Sequence, residues 1–177
     1  MNHGLPSTND KSRIICLSGH RPQRLPGHGE PDAPETQDLI FILREKISEA
    51  VLQGRDTFIN GFMAGFDILA SAQVIALKER YPQIRLITIA PFSVRYYLKE
   101  TCWTDVWIKR ANDIWEQSDI AVSLSEHYRP GIYYERDRVM VEHSSELICY
   151  YDGGNGGTRY TVNRAAAKGL VIHNLYK

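Results

Sequence analysis

A glycine-rich segment is the strongest local sign of chemistry in this sequence. Gly153, Gly154, Gly156 and Gly157 lie between a strand-like run and a helix-like run, and Thr158 follows them. Glycine lets backbone amides approach an anion without obstruction by a side chain, and the following helix adds the positive end of its dipole. The segment therefore predicts a phosphate site, with a simple turn as the alternative. It lacks the lysine of a Walker motif, which argues against magnesium-dependent phosphoryl transfer.

Two arginines bracket an acidic residue shortly before the fifth predicted strand. Arg136 and Arg138 flank Asp137, and an arginine can hold phosphate or carboxylate at two points. Alternate residues of a helix point about 200° apart, so we expect only one of the two to face a ligand. Tyr133 or Tyr134, close by in the sequence, could stack on a base, and we include Tyr134 in the same candidate site.

Two more segments follow predicted strands directly. The first strand leads into Gly19, His20, Arg21 and Pro22, and the fifth strand leads into Asp152 ahead of the glycine-rich segment. Proline stiffens such a turn and brings the backbone close to a ligand in a defined way. We expect both segments to contact the ligand, although a solvated loop is the alternative for the first.

The second predicted strand leads into Gly61, Gly65 and Asp67. The carboxylate of Asp67 could accept hydrogen bonds from a ribose or a base. An acidic residue at the start of a helix is also favoured as a simple cap. Both interpretations stay open from the sequence, and all three residues belong to the candidate site.

Alternating strand-like and helix-like runs position these residues. Short apolar runs typical of buried strands occupy 13–18, 57–60, 85–90, 120–124, 147–151 and 171–175, and stretches with amphipathic helical spacing separate them. This order predicts an α/β fold, a Rossmann-like three-layer αβα sandwich with a mostly parallel sheet. Ligands of such folds lie outside the carboxyl ends of the strands, where the three glycine-containing segments would form one cleft.

Length and charge narrow the possibilities. The chain has 177 residues, with 21 Lys plus Arg against 21 Asp plus Glu, and we expect one domain over 13–177 after a flexible tail over 1–12. Balanced charge provides no net field that would hold a long polyanion, so nucleic acid is not the expected partner. Apolar runs are far shorter than the roughly 20 residues of a membrane span. The tail lacks the apolar middle of a secretory signal, and we expect a cytoplasmic protein.

Several other chemistries find no support. The six histidines form no tight ligand set such as H-E-x-x-H, and the three cysteines lack C-x-x-C spacing, which argues against a zinc site or a disulfide framework. No serine lies in a G-x-S-x-G elbow. We therefore expect neither a metal nor a cofactor.

Five ordered motifs together resemble one family. They are S-G-H-R-P-Q-R-L-P at 18–26, G-F-M-A-G-F-D at 61–67, S-E-H-Y-R-P-G at 125–131, R-D-R-V-M-V-E-H-S-S at 136–145 and Y-D-G-G-N-G-G-T-R-Y-T at 151–161. On these motifs the chain, from about residue 14 to 175, resembles the YpsA-like proteins of the SLOG superfamily of Rossmann-like domains.

The resemblance implies a nucleotide or a nucleotide derivative as the ligand in the cleft. The superfamily includes DNA-processing DprA proteins, LOG phosphoribohydrolases and nucleotide-sensing domains of bacterial conflict systems, so it implies no particular reaction. LOG enzymes carry P-G-G-x-G-T-x-x-E, whose last glutamate assists cleavage between base and ribose, and Thr161 stands at that position here. The family's usual R-N-R is R-D-R in this chain, so the resemblance gives Asp137 no phosphate contact. A homodimer follows by analogy with the relatives.

The first hypothesis is a binding protein for a small nucleotide-like molecule. In it the glycine-rich segment and Thr158 hold the phosphate, and Arg136 or Arg138 neutralises it. The residues that orient the ribose or base are His20, Arg21 and Asp67. Whether any reaction is catalysed stays open.

Two alternatives accompany this hypothesis. The first is an N-glycosidase or phosphoribosyl hydrolase in which Asp67 or Asp137 acts on the reacting centre. The second is a DprA-like nucleic-acid-binding module, which requires a local basic stripe that the overall composition does not show.

Overall fold

Six parallel strands run through the middle of the molecule in a computed structural model that describes residues 4, 5 and 11–177. The sheet has the order β4-β3-β2-β1-β5-β6, and every neighbouring pair is parallel. The strands are β1 Ile14–Gly19, β2 Thr57–Asn60, β3 Arg85–Ala90, β4 Ile120–Ser123, β5 Glu146–Tyr150 and β6 Val171–Asn174. The predicted α/β Rossmann-like fold is confirmed, and the sheet is parallel throughout.

Helices cover both faces of the sheet. They are α1 Pro34–Leu52, α2 Phe66–Leu77, α3 Val94–Tyr97, α4 Asp105–Gln117, α5 Ile132–Glu142 and α6 Gly157–Ala167. Ile15 and Leu17 of β1 belong to a core cluster with α1, α2 and α4, whereas Cys16 belongs to a second cluster with α5 and α6. Because alternate strand residues point to opposite faces, one strand serves both halves of the core and the three layers follow.

The strand order reverses direction beside β1. The chain moves outward from β1 through β2 and β3 to β4, then returns to place β5 on the other side of β1. Ile15 is aligned with Phe58 of β2 on one side and with Glu146 of β5 on the other. In open parallel sheets the crevice at such a switch point receives the ligand, so the ends of β1 and β5 position the candidate site.

Some local structure differs from the expectations. Helix α1 begins at Pro34 and α6 at Gly157, each earlier than its apolar spacing predicts, because polar residues fill their first turns. The short helix α3 was not predicted, and two 3₁₀ turns at Pro22–Arg24 and Pro26–Gly29 shape the loop after β1. The loop after β1 is therefore structured rather than irregular.

The predicted flexible tail over 1–12 falls largely on residues 1–3 and 6–10, which lie outside the described residues, so it stays a prediction. Leu5 is buried and packs with the second core cluster. No helix within residues 4–5 and 11–177 has the length and apolar character needed to cross a membrane. The cytoplasmic location and the homodimer stay predictions as well.

Candidate functional site

One cavity of about 470 Å³ lies at the carboxyl ends of β1, β2 and β5. Nine of the sequence-predicted residues line it, and they are Gly19, His20, Arg21, Asp67, Tyr134, Arg136, Gly156, Gly157 and Thr158. The predicted residues outside its lining are Pro22, Gly61, Gly65, Arg138, Asp152, Gly153 and Gly154. The fold thus brings segments from three strand ends together, as the parallel order requires.

The first turn of α6 forms one wall of the cavity. Gly156 precedes the helix with φ 142°, and Gly157 begins it. A Cβ atom built on Gly157 would meet no atom within 4 Å, so the backbone there is open to the cavity. Thr158 is only 8% exposed, and its hydroxyl has no hydrogen bond to any residue that the structure describes. This wall therefore presents helix N–H groups and a free hydroxyl.

The other half of the glycine-rich segment is held by the protein itself. The Asp152 carboxylate accepts hydrogen bonds from the Gly154 amide at 2.9 Å and from Arg24 Nε at 3.0 Å, and Arg24 Nη1 donates to the Asn155 carbonyl at 2.9 Å. The Gly154 hydrogen bond, together with Arg24 and His20, lowers the pKa of Asp152 to about 2. We call this arrangement the Arg24–Asp152 bridge; because it uses the Gly154 amide, the open part of the segment is confined to 156–158.

His20 fixes the bridge from the side of β1. Its ring is 3% exposed, and Nε2 lies 3.1 Å from the backbone nitrogen of Asp152 and 2.8 Å from Oδ1 of the same residue. Burial lowers the pKa of His20 below its ordinary value. With its ring proton on Nε2, His20 donates to Oδ1 of Asp152, so His20 positions the turn after β5 while it lines the cavity.

A buried charged cluster forms the floor of the cavity. Arg136 Nε donates to Asp137 Oδ1 at 2.7 Å, and Nη1 of Arg136 donates to the Gly61 carbonyl. Asp67 accepts the Gly19 N–H at 3.3 Å. All three charged side chains belong to residues that are at most 6% exposed. Among the described residues, Nη2 of Arg136 has no hydrogen-bond partner.

Burial sets the protonation behaviour of this floor. Desolvation raises the pKa of Asp67 to about 7, although the Arg136 charge works in the opposite direction. Burial also disfavours the charged form of Arg136, but the Asp137 carboxylate, with Tyr97 and Asp67, raises the pKa of Arg136 above its ordinary value. The guanidinium is therefore permanently charged, whereas Asp67 takes up or releases a proton near neutral pH.

Three predicted glycines serve packing around the floor. A Cβ on Gly61 would come within 2.9 Å of the Arg136 guanidinium, and one on Gly19 would lie 2.5 Å from Phe66. Gly65 has φ 105°, and a Cβ there would lie 2.5 Å from the His20 carbonyl oxygen. Gly61 and Gly65 thus allow the close approach that shapes the site while standing outside its lining.

The two predicted arginines of α5 point in different directions. Arg136 is buried in the floor, whereas Arg138 is exposed and lines a separate surface groove. Helix α5 begins at Ile132, so both positions are inside regular helix and lie on different faces. Tyr134 is 55% exposed, and its ring centroid lies 4.7 Å from that of Tyr160.

Sequence reasoning did not assign Gln23, Arg24 or Met63 to the site, yet all three line the cavity. Met63 lies inside the Gly61–Asp67 motif, and Gln23 and Arg24 lie inside the motif after β1. Membership of those motifs was the available signal. Nothing in the sequence pairs Arg24 with Asp152, which is 128 positions away.

The fold and the cavity at its switch point define a Rossmann-like α/β protein with a built site at the carboxyl edge of its sheet. The YpsA family model, described as the YspA SLOG family, matches residues 15–172, and the chain belongs to this family.

Curated relatives are similar over most of their length. The chain is 24% identical over 156 residues to a UPF0398 protein of Bacillus pumilus, covering 86% of this chain and 81% of that protein. It is 25% identical over 151 residues to YoqJ, an uncharacterised SPbeta prophage-derived protein of Bacillus subtilis, covering 78% of this chain and 84% of the relative.

Solved structures share the fold. DNA processing protein A of Helicobacter pylori, whose structure was described for its single-stranded DNA binding mode, superposes with TM-score 0.60 at 17% identity, covering 93% of this chain and 66% of that chain. DprA of Streptococcus pneumoniae gives TM-score 0.60 at 15% identity, covering 92% of this chain and 50% of the other. This chain thus corresponds to one part of those two proteins.

Proposed function

We propose that this protein binds a nucleotide or a nucleotide derivative in the cavity at the ends of β1, β2 and β5. One observation carries the proposal: the open helix start at 156–158 and the buried Asp67–Arg136–Asp137 cluster face the same 470 Å³ cavity. The first suits an anion, and the second suits hydroxyl and amine donors. A phosphate attached to a sugar and a base presents these groups together.

The phosphate is placed at the first turn of α6. The first N–H groups of a helix have no acceptor within the helix, and they favour an anion. Gly157 leaves space beside them, and the Thr158 hydroxyl adds a donor that the described part of the protein leaves unpaired. Arg24 lines the same cavity, but its guanidinium is paired with Asp152, so the helix N–H groups and the Thr158 hydroxyl are the donors for the anion.

The sugar or base is placed against the floor. Asp67 and Asp137 offer carboxylate oxygens as acceptors for hydroxyl or amino groups, and Nη2 of Arg136 offers a donor. The Arg136 charge is already balanced by Asp137 at 2.7 Å. Its role is therefore a directed hydrogen bond rather than neutralisation of the phosphate.

A specific observation favours hydrolysis of an N-glycosidic bond as the second candidate. Asp67 faces the cavity with a pKa of about 7, which is the range in which a carboxyl group exchanges protons efficiently at neutral pH. In this reaction water adds to the anomeric carbon, the bond to the base breaks, and the base takes up a proton. Thr161, which stands where LOG enzymes have glutamate, only donates to the Gly157 carbonyl at 3.4 Å, so Asp67 or Asp137 would have to act.

The test combines binding and turnover in one series. The protein is incubated with AMP, ADP, ADP-ribose, NAD and a long single-stranded oligonucleotide, and melting temperature and chromatographic products are recorded together. Stabilisation without product supports the binding protein. Release of free base that stops in Asp67→Asn supports the hydrolase. No shift and no product with any of the small molecules contradicts both.

A matched pair of variants of α6 locates the ligand. Gly157→Leu adds a side chain whose Cβ has no protein atom within 4 Å, and it should abolish the melting shift. Ala167→Leu changes the exposed far end of the same helix and should leave the shift intact. Equal shifts in both variants would contradict the assignment of the phosphate to this turn.

A further inference from the structure

A surface groove that the proposed ligand does not fill lies beside the cavity and shares two lining residues with it. Tyr134 and Gly156 line both the cavity and a groove with Arg159, Tyr160 and Asn163. The groove then extends along Tyr134 and Tyr160 to Arg138. We call these three side chains, Tyr134, Tyr160 and Arg138, the outer groove.

The outer groove has the chemistry of a base-binding surface. Tyr134 is 55% exposed and packs on Tyr160 with 4.7 Å between ring centroids, so one tyrosine supports the other while a face stays open. Arg138 is exposed and has no ion pair within residues 4–5 and 11–177, whereas the neighbouring Arg129 is paired with Glu135. Aromatic rings beside a free arginine bind nucleobases through stacking and compensate a phosphate charge.

The arrangement of the floor, the helix start and the outer groove indicates the chemical parts that the ligand must contain. The floor with Asp67 and Arg136 comes first, the helix start at 156–158 second, and the outer groove third, with Gly156 joining the last two. We propose that the natural ligand carries a second nucleoside, joined through the phosphate, and that its base stacks on Tyr134 in the outer groove. This inference rests on the proposed function, because it uses the same phosphate position.

Two linkages share this chemistry. A pyrophosphate can join two nucleosides, or a phosphodiester can do so, and each places a phosphate between two bases. The probes separate them: AMP and ADP carry one nucleoside, diadenosine diphosphate carries two on a pyrophosphate, and the dinucleotide ApA carries two on a phosphodiester. ADP controls for the added charge.

Calorimetric titration of the wild-type protein gives the first result. At least one two-nucleoside probe should bind about tenfold more tightly than ADP, which is the size of one base–aromatic stack. The two-nucleoside probe that binds more tightly shows whether the natural ligand has a pyrophosphate or a phosphodiester linkage. If AMP or ADP binds and both two-nucleoside probes bind no more tightly, this inference is overturned while the proposed function stands. If none of the probes binds, the result contradicts both the proposed function and this inference.

Variants of exposed residues then locate the second base. Tyr134→Ala should weaken binding of the two-nucleoside probe by about tenfold more than it weakens binding of ADP, and Tyr134→Phe should keep the advantage because the ring remains. Arg138→Ala should lower affinity for the two-nucleoside probe only, whereas the control Arg80→Ala, an exposed arginine preceding β3, should change nothing. Equal loss for ADP and the two-nucleoside probe in Tyr134→Ala would overturn the placement, as would preference for a long single-stranded oligonucleotide over both dinucleotides.

Discussion

The guanidinium of Arg24 lies directly against the backbone of Gly154, in the space that a Cβ atom at that position would fill. The two residues are far apart in sequence, and the contact closes the turn after β5 over the turn after β1. Asp152 lies between them and receives a hydrogen bond from each. Any larger residue at position 154 would place its Cβ atom in the space that the Arg24 guanidinium occupies.

This contact predicts strong coupling between the two positions. Gly154→Ala should destabilise the protein by about 0.5–1 kcal/mol, because the new methyl group displaces the partly exposed Arg24 guanidinium from Asp152. In the Arg24→Ala background the same substitution should cost less than about 0.5 kcal/mol. A double-mutant cycle from urea unfolding measures the difference, and additive effects would contradict the bridge.

The acidity of Asp152 should depend on the same arginine. Arg24→Ala should raise the pKa of Asp152 from about 2, since a charged hydrogen-bond donor is removed, but the Gly154 amide should hold it below the ordinary value. Carbon-detected NMR titration of the carboxyl group gives the value. Arg21→Ala, a neighbouring exposed arginine, is the control that should leave the titration unchanged. A rise of the same size in the control would show a general charge effect.

Asp67 should make stability depend on pH in a recognisable direction. Its pKa is raised to about 7 in the folded state, so the folded protein holds this proton above the pH at which the unfolded chain has lost it. The contribution is greatest below the unfolded pKa near 4 and is lost as pH rises towards 7. The free energy of unfolding of Asp67→Asn, relative to that of the wild type, should therefore rise by about 2 kcal/mol from pH 5 to pH 8.

Urea unfolding of both proteins at the two pH values measures this difference, and other titrating groups cancel in the comparison. A difference that is independent of pH would show that Asp67 is ionised throughout. If Asp67→Asn were more stable relative to wild type at pH 5 than at pH 8, the result would contradict the raised pKa of buried Asp67.

The two arginines of α5 should differ sharply in their contribution to folding. Arg136→Met leaves the carboxylates of Asp67 and Asp137 buried without their cation, and removing one partner of a buried ion pair costs about 3–5 kcal/mol. Arg138→Met changes an exposed side chain and should cost less than about 0.5 kcal/mol. Chemical unfolding of the two variants provides the comparison, and similar stabilities would contradict the buried cluster.

Two glycines should separate a packing role from a ligand-facing role. Gly65→Ala strains a residue with φ 105° and drives a Cβ to 2.5 Å from the His20 carbonyl oxygen, so it should cost at least about 2 kcal/mol. Gly157→Ala adds a methyl group in open space and should leave stability within about 0.5 kcal/mol. Thermal or urea unfolding checks both, and a neutral Gly65→Ala would contradict the close approach of the two loops.

The strands could be predicted closely from the sequence, because buried parallel strands are short continuous apolar runs. The run at 13–18 became Ile14–Gly19, and 147–151 became Glu146–Tyr150. The region between β3 and α4 could not be predicted in the same way. Its helix Val94–Tyr97 has only one turn, which is too short for a periodic pattern to be recognised.

For the candidate site, the sequence predicts which segments meet but not which side chains face the cavity. That segments at strand ends would meet followed from parallel order, and nine predicted residues do line one cavity. Which side chain faces the cavity depended on contacts between distant segments. Asp152 binds Arg24 instead of facing the ligand position, and Gly61 yields its space to Arg136. Such pairings leave no periodic trace in the sequence, so the division of the glycines into packing and open positions was beyond prediction.

The strand order also has a temporal consequence. Among the described strands, β1 comes first along the chain and lies in the interior of the sheet, and Ile15 cannot pair with Glu146 until β5 has been synthesised. Pairing between such distant segments is slow because a long loop must close first. The cavity at the ends of β1, β2 and β5 therefore cannot form until β5 and the first turn of α6 have been synthesised.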